Sequence, residues 1–205
     1  MLPSKHRLGL ALVFAALLSG CTSISPPTRF YQLHQPDAAL DSDDGQTGLR
    51  IGLGPIELPE MLRRPQMVSR KSDSEMEISE FHRWAGQLED MMTRALTLQL
   101  GQLPGGKPLA IVPHPWSTQR DIDYQLRINV LRFDGPLGGE FALQGMWILI
   151  DTQQRNELMT RAFDLREQAP DASHTAMAIA MGRLLTRLSG EVGATLRQLE
   201  PPSPR

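Results

Sequence analysis

One cysteine in 205 residues, Cys21, sets the first constraint. With no second thiol the chain has no intramolecular disulfide, so an exported domain of this sequence is held together without one. Aromatic residues are scarce too, at 3 Trp, 2 Tyr and 6 Phe, so the core must be mostly aliphatic with Leu and Met prominent. There is no basic excess: Lys+Arg 21 against Asp+Glu 23 gives a net charge of −2. That excludes the clustered positive surface of a nucleic-acid-binding domain, and no nucleic acid is expected as a partner. No long hydrophobic run occurs either. The longest, Leu8 to Leu18, is well short of the roughly 20 apolar residues a membrane helix needs.

The usual catalytic constellations are also missing. The histidines, His6, His34, His82, His114 and His174, stand far apart, with no second ligand at metal spacing. Asp134 to Gly139 is glycine-rich, but it lies between two expected strands and lacks the helix N-terminus that a phosphate loop uses. The acids Asp41, Asp43 and Asp44 lack the closing Glu of a calcium loop. No Gly-x-Ser-x-Gly is present, and Ser69, Ser72, Ser74 and Ser79 fall in hairpin positions without a marked His-Asp partner. Met91, Met92, Met177 and Met181 recur at helical spacing, the ordinary pattern of core filling. The expectation is a protein that is not an enzyme, uses no cofactor and binds no metal.

What is present begins at the N-terminus. Lys5 and Arg7, the apolar run and the small residues Ser19-Gly20 are the three parts of a secretory signal peptide. Leu18-Ser19-Gly20-Cys21 matches the lipobox of bacterial lipoproteins, in which the thiol is acylated and the chain is cut before it. The expected lipid attachment site is therefore Cys21, carrying covalent N-acyl and S-diacylglycerol groups. One acyl chain anchors only marginally, whereas two or three on one residue hold durably. In such lipoproteins an Asp after the cysteine favours the inner membrane. Thr22 stands there, so the expected address is the outer membrane, lipid-anchored and periplasm-facing.

The organisation expected is a cleaved signal peptide (1–20), a lipidated tether (21–28), one domain (29–199) and a disordered tail (200–205). The tether spans roughly 27 Å at most. Alternation predicts strands at Arg29–Leu33, Leu49–Leu58, Gln66–Arg70, Glu75–Ser79, Leu109–Val112, Tyr124–Phe133, Phe141–Ile150 and Glu157–Glu167, with an exposed loop over His34–Gly48. The last three strands read as an antiparallel meander. Period 3.6 predicts helices over Trp84–Leu100 and Ala172–Gln198. The fold class expected is α+β, a single mixed and largely antiparallel sheet with two helices packed on one face.

Several segments in this order resemble one family. They are Gly54-Pro55-Ile56-Glu57-Leu58-Pro59, then Leu62-x-Arg64-Pro65-Gln66-Met67-Val68, then Arg83-Trp84-Ala85. Tyr124-x-Leu126-x-Ile128-x-Val130-x-x-Phe133-Asp134-Gly135 and the Trp147 strand follow. Together with the lipobox, over about 170 residues, they resemble the PqiC (YmbA-type) family, the ABC-type transport auxiliary lipoproteins. The resemblance implies a non-enzymatic outer-membrane lipoprotein of an MCE-type intermembrane phospholipid transport system. Its implied partners are a periplasm-spanning MCE-domain protein and an integral inner-membrane subunit, and a homo-oligomeric ring is expected. The segment Arg63, Arg64, Gln66 and the hairpin at Asp134 and Gly135 are the expected exposed partner contacts. The other reading, of a different class, is a periplasm-facing scaffold or activator of cell-wall assembly enzymes.

Overall fold

In a computed structural model, residues 25–33, 48–103, 109–116 and 122–200 are described. The expected signal peptide, Cys21, most of the expected loop over 34–48 and the final five residues lie outside them. The elements are β1 (Arg29–Tyr31), β2 (Leu49–Glu57), a 3-10 turn (Glu60–Leu62), β3 (Gln66–Arg70), β4 (Met76–Trp84), α1 (Leu88–Gly101), β5 (Leu109–Pro113), β6 (Tyr124–Asp134), β7 (Glu140–Asp151), β8 (Asn156–Gln168) and α2 (His174–Leu196).

The expected single sheet is two sheets. Five strands lie in the order β5-β2-β6-β7-β8, and three in the order β1-β4-β3. The reason lies in β2. Its two edges are taken by β5 and β6, both parallel to it, so no ladder remains for β3. Pro59 and Pro65 bracket the 3-10 turn and lead the chain out of the large sheet, since proline cannot donate to a ladder. β3 then pairs with β4 antiparallel, and β1 adds parallel on the far side. The expected antiparallel meander is present as β6-β7-β8, with one register shift in each pairing, between Val130 and Arg132 and between Leu149 and Ile150. The large sheet is thus half parallel, not largely antiparallel.

Alternation gives the large sheet one buried face. Leu126, Ile128 and Val130 on β6 register with Leu149, Trp147 and Gly145 on β7, and Gly145 with Phe163 on β8. Both helices cover this face, α1 over β2 and β5, α2 over β7 and β8. The opposite face carries Arg127, Asn129, Gln144 and Asp164, with Met146 and Ile148 half-buried among them. Gly145 is required by close approach: a Cβ there would overlap the Asn129 carbonyl oxygen and stand 2.8 Å from the Phe163 ring.

The buried stripe of α1 is Leu88, Met92, Ala95, Leu96, Gln99 and Leu100, at three- and four-residue spacing. This helix begins four residues later than expected. Trp84 is the last residue of β4, its N–H donating to the Pro65 carbonyl at 2.7 Å, and Ala85 donates to Tyr31 at 2.8 Å. Helix α2 starts at a Ser173 cap whose hydroxyl accepts the Ala176 N–H at 3.0 Å. Its stripe from Met177 to Leu196 is buried, and Met92, Met177 and Met181 fill the core as expected. Gln99 donates to Thr186 across the helix pair at 3.0 Å.

Candidate functional site

The two segments expected to form a contact surface sit at opposite ends of β3. At its start, Leu62 is buried and fastens the turn, leaving Met61 and Arg63 on the surface. Arg63 Nε lies 2.9 Å from Glu89 in the first turn of α1 and its guanidinium 3.8 Å from Glu60. Arg64 is half-buried, with its Nε enclosed and without a hydrogen-bond partner among the described residues. Gln66 pairs with Arg83 of β4.

At the far end of β3 the structure corrects the expectation. Asp134 and Gly135 are buried. The Asp134 side chain is 7% exposed and accepts from Arg70 Nε at 2.6 Å, Arg70 Nη2 at 3.1 Å and Arg132 Nε at 3.0 Å. The carboxylate raises the Arg70 pKa from its already high ordinary value. The Gly135 carbonyl accepts the Arg70 N–H at 2.9 Å, and a Cβ on Gly135 would stand 2.6 Å from Phe141 Cα. These two residues lock the small sheet to the β6–β7 hairpin. The sequence suggested exposure because a polar, glycine-rich turn usually faces water. Only the exposed tip, at Pro136 and Gly138, does.

A second cluster was invisible in the sequence. His82 and His174, read there as isolated, stack with ring centroids 3.7 Å apart and planes 7° from parallel. Tyr31 and His82 Nδ1 share a hydrogen bond of 2.6 Å, and Ser79 Oγ and His174 Nε2 share one of 2.7 Å. Four side chains from β1, β4 and the first residue of α2 therefore form one staple between the small sheet and the helix. The His174 pKa is lowered, first by burial and then by His82, with Glu77 opposing. The Ser79–His174 pair has the reach of a nucleophile and base. The residue beside the base is a stacked imidazole, however, and not the orienting acid that such a pair uses. Among the described residues no carboxylate is hydrogen-bonded to His174. No signal in the sequence marks this cluster, since 92 positions separate the two histidines and each element alone looks ordinary.

Among the described residues, no three of His, Cys, Asp or Glu group as metal ligands, and no helix is long and apolar enough to cross a membrane. An open hollow of about 530 Å³ lies at one end of β6 and β7. Arg127 and Arg155 line it together with Asp151 and Glu157, a mixed set that selects no ligand charge.

The model of the ABC-type transport auxiliary lipoprotein component family matches residues 31–193. No curated protein matches the sequence. A crystal structure of an uncharacterized protein is similar in fold, with a TM-score of 0.68 at 19% identity, covering 83% of this chain and 99% of that one. Protein XCC0632 of Xanthomonas campestris, of the DUF330 family model, has a TM-score of 0.64 at 19% identity, covering 82% and 95%. At such identity these likenesses show the fold alone.

Proposed function

The chain belongs to the ABC-type transport auxiliary lipoprotein family, and from that premise we propose that it is the outer-membrane docking piece of an MCE-type intermembrane lipid transport system. The observation that supports this reading is the family match over residues 31–193, which begins ten residues after the lipobox cysteine. Lipid on Cys21 would hold the domain close to one membrane, and the domain would receive a periplasm-spanning MCE-domain protein connected to an integral inner-membrane subunit. The family is not one of enzymes, and the domain's part would be to position and bind.

The Arg63–Gln66 turn is the contact we propose for that partner. Arg63 and Met61 are exposed beside Arg64, whose enclosed Nε has no partner among the described residues. A carboxylate from another protein would pair with the part of the Arg64 side chain that stays accessible. Asp134 and Gly135 would contribute by holding the neighbouring hairpin tip in place. A ring of several copies would present this turn repeatedly and so raise avidity. The test is co-purification of the lipidated protein with an MCE-domain protein from the same cells. Arg64→Glu should reduce recovery of the MCE protein about tenfold, as loss of one desolvated charge-assisted contact implies. Undiminished recovery would refute the contact. Recovery of a cell-wall synthase in its place would refute the transport role.

A further inference from the structure

The face of the small sheet that points away from the histidines has a different chemistry. Register places Phe30, Arg83 and Gln66 side by side across β1, β4 and β3. Phe30 is 66% exposed, more than any other large hydrophobic residue described, and Phe81, two residues before Arg83, is 37% exposed. Arg29 is exposed too, but it registers with His82 and so belongs to the other face. Arg83 forms no salt bridge among the described residues and makes only a long 3.4 Å bond to the Glu80 carbonyl. Bare aromatics beside an arginine that has no salt bridge among the described residues mark a surface that something apolar and phosphate-bearing covers.

We propose that this patch seats on the bilayer that holds the lipid of Cys21, with Phe30 and Phe81 at the headgroup–acyl boundary and Arg83 on a lipid phosphate. The inference rests on the lipid-anchor reading and deepens it. Tether length selects the occupant. The described chain starts at Ser25, four residues beyond Cys21 and so within about 14 Å of it, and Phe30 lies within about 30 Å. The strand carrying Phe30 is the first element after the anchor, so this edge of the fold is the one held toward the bilayer. Arginine and aromatic side chains suit that interface, being apolar along one part and polar at the tip. A single lipidated residue would then gain a second point of contact, which fixes the orientation of the domain as well as its distance.

The test uses the full lipidated protein in vesicles of phosphatidylethanolamine and phosphatidylglycerol. Acylation consumes the thiol of the chain's one native cysteine, so Phe30→Cys, Phe81→Cys and, as a reference, Gln154→Cys at an exposed turn each supply a unique site for a nitroxide. The ratio of collisions with oxygen to collisions with a water-soluble nickel chelate should be about threefold or more higher at positions 30 and 81 than at 154, as a depth of roughly 5–10 Å produces. A ratio at both positions equal to that at 154, in protein that floats with the vesicles, would overturn the proposal. Protection accompanied by spin–spin broadening that persists on lipid dilution would also overturn it, assigning the patch to a second copy. Failure of the unmodified protein to float would overturn the Cys21 anchor, and this inference with it.

Discussion

Removing the Asp134 carboxylate tests how the two sheets are joined. The group accepts three N–H bonds from Arg70 and Arg132 while itself 7% exposed. Deleting one member of a fully buried ion pair costs about 3–5 kcal/mol, because the other charge stays buried and unpaired. Here the arginine side chains are 24% and 28% exposed, so water recovers part of that loss and about 2–3 kcal/mol is expected for Asp134→Ala. In a domain of this size each kcal/mol lowers Tm by about 2–4 °C, giving a fall of roughly 4–12 °C. Urea unfolding should show a lower midpoint at unchanged slope. A cycle with Arg70→Met should give a coupling of about 1–2 kcal/mol, and the coupling should survive 0.5 M salt because a buried pair is weakly screened. A loss below about 0.5 kcal/mol, or strict additivity with Arg70→Met, would refute the latch.

Stability should also depend on pH through the histidine staple. His174 has a folded-state pKa below its unfolded value of about 6.5, so the unfolded chain takes the proton first. Stability is then full above pH 6.5 and falls as pH drops through that value. In His174→Gln the slope of unfolding free energy against pH between about 5 and 6.5 should be smaller, and an unchanged slope would assign the dependence elsewhere. Gly145→Ala should destabilise by about 3 kcal/mol or more, since the added methyl meets the β6 backbone at Asn129 and Val130 as well as the buried Phe163 ring; a Tm equal to wild type would show that β6 and β7 can separate there at little cost.

The large sheet was legible because its signal is local. Leu126, Ile128 and Val130 alternate with Gln125, Arg127 and Asn129, and burial of one face enforces that period whatever the topology. Helix α2 was legible for the same reason, from its uninterrupted stripe. Two things were not local. Whether β3 joins the large sheet depends on β5 having filled β2's edge, a pairing some sixty residues distant. The start of α1 depends on Trp84 pairing with Tyr31, which holds the chain extended against a helical pattern in its side chains. Candidate site residues divide in the same way. Polar turns can be seen in a sequence, but the burial of Asp134 is imposed by Arg70 and the meeting of His82 with His174 by the approach of α2. Composition announces neither.

The three residue pairs that join β1 to β4 have a mechanical consequence. If the proposed lipid on Cys21 tethers the domain through its N-terminus, any pull on that tether reaches Arg29 before the rest of the fold. It is then resisted by that short parallel ladder, the Tyr31–His82 hydrogen bond and the Ala85 N–H on the Tyr31 carbonyl. β1 is an edge strand, so it can peel without breaking the β6–β7–β8 ladders. Peeling would pay out about 10 Å of chain. β1 is in this sense a fuse: it yields under load first, lengthens the tether, and leaves the five-stranded sheet and its two helices intact.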